Sequence, residues 1–361
     1  MNRVEEHFIN LHQNPEPSFK EFETHKYLFE KLSKLNCQLH QLHPTGIIAF
    51  FDFNKDKTYA IRAEMDALPI EEKTNLKYAS KNGFMHACGH DAHMSILLGL
   101  CENLNSKIAS VNVVAIFQPS EEVYGGALKV LNDNYFQNLK IDAIFGMHLF
   151  PKLKYNNFFT SEYLMASATE IDIIIKGKKT HITEDGIDAI KIANEFLSQI
   201  TVKKDEIFNC GVFKANGQRN IICDNALLEC TYRTFGSNLE FLETIKTIAQ
   251  KIESKTRATI SINHRSIPLL KNDLKLAKDM DITILNSGFF QTDDFAYYTK
   301  KYNALYSLLG CGNIASLHSD EFSFDLELLK SGYNYFLNII NGTTVPKKEV
   351  WEQCWKDLLL L

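Results

Sequence analysis

Four separate β-rich runs in this chain end on residues that can hold a metal ion. TYAIRA (58–63) leads into Glu64, Met65 and Asp66, and VNVVAIF (111–117) leads into QPSEE (118–122). DAIFGM (142–147) leads into His148, and ALYSLLG (304–310) is followed shortly by LHSDEF (317–322). In open α/β sheets, sites form beyond the carboxyl ends of the strands. Histidines and carboxylates delivered to such ends from four distant segments are hard to arrange by chance. They constrain the fold to one in which those ends meet.

The pattern around these runs agrees. GIIAFF (46–51) adds another strand, and helical spacing of apolar residues appears over 19–35, 92–105 and 125–133. The unbroken apolar character of 113–117 predicts a strand covered on both faces. This alternation predicts an α/β layered domain. The middle of the chain differs. Strands are expected at 168–177, 206–215, 226–235 and 258–263, with helices at 185–200 and 238–253. The order β-α-β-β-α-β is that of a ferredoxin-like α+β unit. It is expected as an insertion over 166–264, within a catalytic domain made of 1–165 and 265–345. In the tail, 346–361, the residues Val350, Trp351, Cys354, Trp355, Leu358 and Leu359 form an apolar stripe if 349–361 is helical. A docked or frayed terminal helix is the expectation there, with a partner-binding helix as the alternative.

Composition narrows the class of function. Hydrophobic residues make up 45% and charged residues 23% of the 361, as in an ordinary soluble protein. The formal charge of −5 and the scattered Lys and Arg argue against a nucleic-acid partner. No stretch approaches the roughly 20 apolar residues of a membrane helix, and the first residues carry no signal-peptide pattern. The expected location is the cytoplasm, with no membrane partner. Eight cysteines occur without a C-x-x-C pair. In an intracellular chain of this size an even count is no argument for disulfides.

One cysteine stands apart. MHACGHDAHM (85–94) packs Cys88, His86, His90, His93 and Asp91 into ten positions. On a helix, Cys88 and His90 would point about 200° apart, so a shared target requires a loop there. Asp91 is then the expected N-cap of a helix beginning near Ala92. Thiolate and imidazole suit zinc or a similar divalent ion. A structural zinc site would want a second thiol pair, which the chain lacks, and a cysteine nucleophile would need its own base. Glu121 and Glu122 are adjacent, so on an extended backbone they diverge. One can hold metal while the other works on a water; a solvated acidic loop is the plain alternative. His148, His181, His318 and Arg233 are each ambiguous when taken singly.

Taken together they are not. RAEMDALPI, GFMHACGHDAHM, FQPSEEVYGGA, GMHLFP, GKKTH, NIICD, TYRTF, DDFAYY and SLHSDEFSFD occur in this order. The set resembles the motifs of the M20 metallopeptidase/amidohydrolase family, over about residues 5–341. The subgroup it resembles holds hippurate hydrolases, N-acyl-amino-acid amidohydrolases and N-acetyldiaminopimelate deacetylases. MASATEIDIIIKGKKTH (165–181) looks most like the bacterial N-acetyldiaminopimelate deacetylases, which would place the activity in lysine biosynthesis.

The resemblance implies a zinc-peptidase-like catalytic domain, two divalent metal ions (Mn, Zn, Co or Ni) and an inserted ferredoxin-like lid that also forms a homodimer. It implies Cys88, His90, Glu122, His148 and His318 as metal ligands and Glu121 as general base. His181 would polarise the scissile carbonyl, and Asn220 and Arg233 would bind the substrate's carboxylate end. Asp66 and Asp91 would support the ligands, and His86 and His93 drop to supporting roles. The implied substrate is a small N-acyl amino acid. Some positions depart from the family pattern. GKKTH lacks the usual Gly-Gly, Val123 stands where glycine is common, and Glu64 and Asp293 exchange carboxylate lengths.

Overall fold

The computed structural model describes residues 3–123, 125–278 and 280–342. The stripe over 349–361 lies outside the described residues. The chain divides into two compact units. The first comprises 3–164, 271–288 and 294–342, and the second 165–270 and 289–293.

The first unit is built on an eight-stranded sheet. From edge to edge the strands are Gln38–Gln41, Ile47–Phe51, Asn112–Gln118, Thr58–Glu64, Ala143–Phe150, Ala304–Gly310, Phe158–Thr160 and Ile282–Ile284. Thr58–Glu64 lies parallel to both Asn112–Gln118 and Ala143–Phe150. Ala304–Gly310 continues the parallel run beside Ala143–Phe150. These four central strands therefore point their carboxyl ends the same way. All seven residues of Asn112–Gln118 and all eight of Ala143–Phe150 are buried, as the apolar runs predict for strands covered on both faces.

The helix His90–Leu104 lies within this core, and Ile96, Leu97 and Leu100 share one buried cluster with Val113, Phe117, Phe145 and Leu149. Helix Arg3–Gln13 packs Val4, Phe8 and Leu11 into the same cluster, and helix Glu327–Asn341 adds Leu329, Tyr333 and Phe336. Each fully buried aliphatic or aromatic side chain contributes roughly 1.5–3 kcal/mol of transfer free energy. The sheet is thus a rigid platform for whatever its strand ends present. Among the described residues, no helix is long and apolar enough to cross a membrane.

The second unit has its own sheet and core. Strands Glu206–Ala215, Asn225–Thr234, Ser167–Lys176 and Thr259–Ile267 lie in that order and pair antiparallel throughout. Alternate residues Ile171, Ile173 and Ile175 face helices Ala189–Ser198 and Leu239–Thr256, packing with Ile192, Phe196, Ile245 and Ile252. The period of two along the strand selects this single covered face.

One boundary differs from the sequence reading. The helix after the cysteine loop starts at His90, and its N-cap is Gly89, at φ +82. Asp91 is therefore not the N-cap. Glycine adopts left-handed backbone at little cost, so the chain turns into the helix earlier than an aspartate cap would allow. The Asp91 carboxylate accepts from the N–H of Ala92 at 2.8 Å and binds His12 instead.

Candidate metal centre

Five side chains from four segments converge near the carboxyl ends of the central strands. Cys88 Sγ lies 3.4 Å from His148 Nε2 and 3.3 Å from His318 Nε2. His318 Nε2 lies 3.5 Å from Glu122 Oε1. Donor atoms of Cys88, His90 and His148 are all within 4.8 Å of one another, and so are those of Cys88, Glu122 and His318. A third such group joins His90 to Glu121 and Glu122. Cys88 thus belongs to two donor groups, and His90 and Glu122 each connect one of these to the pair of glutamates.

The backbone explains how the segments arrive. Cys88 sits in the loop before Gly89, and His90 opens the helix. His148 lies inside strand Ala143–Phe150 rather than at its end. His318 adopts left-handed backbone, φ +63, and its N–H donates to the Ala87 carbonyl at 2.9 Å, tying its loop to the cysteine loop.

Asp66 organises this cluster without joining any of these groups. Its two carboxylate oxygens accept from the backbone N–H of Glu121 and Glu122, each at 3.0 Å, and from Ser18 Oγ at 2.6 Å. Its carbonyl accepts from His90 Nδ1 at 2.9 Å. Asp66 is fully buried, and burial alone would raise its pKa. The interactions with His90, Ser18 and the backbone overcome that and hold it below the usual aspartate range. Hydrogen bonds to a charged group contribute roughly 1.5–3 kcal/mol each, so several can offset the desolvation. A second buried carboxylate secures the same loop. Glu21 Oε1 accepts from the N–H of Ser120 and of Phe19, each at 2.9 Å, and Oε2 accepts from Thr45 at 2.6 Å. Ser120 and Phe19 both have positive φ, +50 and +58. Such backbone is strained for residues with a Cβ, and Glu21 secures both turns. Gly126 completes the loop, since a Cβ there would meet the Pro119 carbonyl oxygen at 1.7 Å.

The electrostatics favour a cation. Burial by itself would lower the pKa of His90. The hydrogen bond to Asp66 and the charges of Glu64, Asp66 and Glu122 outweigh it and raise His90 to about 10. Carboxylates that draw a proton to this spot would draw a divalent ion there too. His148 is pushed the other way, chiefly by burial. Burial and the charges of Glu122 and Glu121 push the Cys88 thiol up.

A metal fits these residues. Its ring Nδ1–H engaged by the Asp66 carbonyl, His90 leaves Nε2 buried without a hydrogen-bond partner, and Glu122 Oε1 is buried without one too. Buried polar atoms of this kind are scarce in folded proteins and call for an explanation. A thiol, three imidazoles and a carboxylate form a donor set for zinc or a neighbouring borderline ion.

The remaining sequence candidates belong to the second unit. His181 is exposed on a two-residue strand of the second unit, paired with Ile221, and its Nδ1 lies 2.7 Å from Thr183 Oγ1. Asn220 is its neighbour, its carbonyl accepting from the N–H of Ile182 at 3.1 Å. Arg233, on strand Asn225–Thr234, donates to the Phe290 carbonyl at 3.0 Å.

Asp91, next to His90 in the chain, pairs with His12. His12 Nδ1 donates to Asp91 Oδ2 at 2.6 Å and Nε2 donates to Glu72 Oε1 at 3.1 Å. Two donors require the imidazolium form. Burial opposes that form, but the hydrogen bonds to Asp91 and Glu72 raise His12 to about 10. A raised folded-state pKa stabilises fully below the ordinary value of 6.5 and loses its contribution as pH rises toward 10. His12→Gln should therefore lower the melting temperature clearly at pH 6 and far less at pH 10. Thermal melts of both proteins across this range check it, and a gap independent of pH would contradict the assignment.

Sequence reasoning missed Glu21, Ser18 and His12 altogether. It placed Glu64 at a strand end and His93 in support without finding a partner for either. Nothing in the local sequence marks Glu21, which lies 99 positions from Ser120.

Comparison with known proteins adds the lineage. A sequence model described as peptidase family M20/M25/M40 matches residues 60–342. An uncharacterized hydrolase of Staphylococcus saprophyticus is 30% identical, covering 94% of this chain and 97% of its own. Another, from Staphylococcus haemolyticus, is 31% identical over 93% and 97%. Among solved structures, the Bacillus subtilis YXEP protein is described as a dinuclear metal binding peptidase from the M20 family. It aligns with a TM-score of 0.80 at 31% identity, over 95% of this chain and 98% of that one.

Proposed function

The chain belongs to peptidase family M20/M25/M40 and is a metal-dependent hydrolase of the amidohydrolase/peptidase kind, and on that premise we propose that it removes the N-acyl group, an acetyl first of all, from a small amino acid. The observation that carries this reading is the convergence of Cys88, His90, Glu122, His148 and His318, with Glu121 in one of the same donor groups. In this reading those five residues hold two divalent ions. The ions supply Lewis acidity for the carbonyl and a lowered pKa for an attacking water.

The chain's own residues do the rest. Glu121 is nearly buried, and its backbone is fixed by Asp66. Its carboxylate takes the proton of the attacking water and returns it to the leaving amine nitrogen. His181 is assigned to the developing oxyanion, and Asn220 and Arg233 to the substrate's carboxylate. The second unit's strand order supports a ferredoxin-like fold, and the roles proposed for it are those of lid and homodimer surface. The 165–181 stretch supports N-acetyl-diaminopimelate as the first substrate to try.

A second reading is cleavage of a peptide bond, favoured by the description of the Bacillus subtilis relative as a peptidase. One assay separates the two. Protein loaded with manganese or zinc should release free amine from N-acetyl amino acids, N-acetyl-diaminopimelate included, faster than from dipeptides, and a chelator should stop it. Faster dipeptide cleavage would favour the second reading. Release from neither, at confirmed metal loading, would refute both.

A further inference from the structure

Glu64, His90 and His93 also bring donor atoms within 4.8 Å of one another, and all three are buried. Taken as a group they look like a further metal position. The hydrogen bonds say otherwise. His93 Nε2 accepts from the backbone N–H of Leu149 at 3.1 Å. Its Nδ1 must then carry the proton, which it donates to Glu64 Oε2 at 2.9 Å. Both ring nitrogens are used, and the neutral imidazole keeps no lone pair for an ion. Glu64 is also committed. Its Oε1 accepts from the Arg62 guanidinium and, at 3.2 Å, from Tyr306 Oη. Arg62 in turn donates to Asp294 at 2.6 Å, and all three charged side chains are buried.

Leu149 follows the proposed ligand His148. Strand Thr58–Glu64 pairs with Ala143–Phe150 only as far as Arg62 opposite Gly146. Leu149 lies beyond the last of those pairs, and His93 takes the N–H that a longer neighbouring strand would have taken. On the other side of the same residue, the Leu149 carbonyl accepts from His148 Nδ1 at 2.6 Å. That bond places the proton of His148 on Nδ1 and leaves Nε2, 3.4 Å from Cys88 Sγ, as the lone-pair nitrogen. The Leu149 peptide groups are therefore held by His93 at one end while they hold the His148 ring at the other.

We infer that Glu64 and His93 are a positioning pair, which fixes the orientation of His148 through the backbone of Leu149, and are not metal ligands. The inference rests on the reading of His148 as a ligand. Groups that orient a metal-binding histidine typically affect metal affinity or activity by about 10–100-fold when removed. Glu64 anchors His93 to the buried Arg62, so the alignment of His148 is coupled to the buried charges of Glu64, Arg62 and Asp294.

The test compares His93→Ala and His93→Gln with wild type and with His148→Ala. Zinc affinity is read by competition with a chromophoric chelator, and amide exchange at Leu149 by mass spectrometry on the metal-free protein. His93→Ala should weaken one zinc equivalent about 10–100-fold and leave the other within threefold. It should also speed exchange at Leu149. The glutamine oxygen can accept the Leu149 N–H, so His93→Gln should restore most of both and also serves if the alanine variant does not fold. Wild-type zinc affinity with unchanged exchange in these variants would overturn the inference. So would a His93→Gln protein that loses a zinc equivalent as completely as His148→Ala, which would make His93 a ligand. If wild type binds no zinc, the proposed function falls, while exchange at Leu149 still decides whether His93 holds that backbone.

Discussion

Glu121→Gln should lower kcat by about 10²–10⁴-fold, the range attributed to a positioned general acid or base, while KM and metal content stay near those of wild type. The amide keeps the shape of the side chain but cannot take a proton from water. The backbone N–H of Glu121 would still donate to Asp66, so the loop should keep its form. Steady-state kinetics with metal analysis on the same sample check this. A variant with wild-type turnover would exclude Glu121 as the base. A variant that loses metal along with turnover would make it a ligand, and the division of labour with Glu122 would be reversed.

Cys88→Ser should be the most damaging single change to metal binding. Cys88 belongs to one donor group with His90 and His148 and to another with Glu122 and His318. Loss of any other proposed ligand leaves one of these two groups whole, but this one thins both. A serine hydroxyl is neutral at ordinary pH and a poor replacement for thiolate. The expected result is loss of both metal equivalents, larger than the roughly 10–100-fold typical of a supporting residue, together with loss of turnover. Elemental analysis after dialysis reads the first and amine release the second. Full metal and full rate in this variant would remove Cys88 from the centre. The buried thiol has a second consequence for handling. It is a free cysteine 7% exposed, so its burial should keep oxidation slow.

How far the centre could be read from the sequence depended on what kind of information each part carries. The strands 46–51, 58–63, 111–117 and 142–147 were legible because burial on both faces writes a largely apolar run into the chain. Of the five proposed ligands, Cys88 and His90 were legible as candidates from a dense motif of their own, and Glu122, His148 and His318 as residues just after or a short way after such a run. Asp66 was legible for the same reason. The start of the cysteine helix was misplaced, because a glycine in left-handed backbone replaced the aspartate cap that the pattern suggested. His93 was recognised only as supporting, since its partners Glu64 and Leu149 N–H are set by where one strand stops pairing with another. Strand order is a long-range property with no local signature, and the order that brings Thr58–Glu64 between Asn112–Gln118 and Ala143–Phe150 cannot be counted off in residues. His181, Asn220 and Arg233 came only from the resemblance, although the structure does set His181 and Asn220 side by side.

Three of the fastenings described above come from the first 21 residues. His12 holds Asp91, Ser18 holds Asp66, and Glu21 holds the left-handed turn at Ser120. The family-wide match begins only at residue 60. A protein cut to that boundary would keep every proposed ligand and the general base. It would lose the contacts that keep the Glu121–Glu122 loop and the cysteine helix in register. For anyone trimming this chain for expression, or grafting its metal centre onto another scaffold, the unit to carry over begins well before its first ligand.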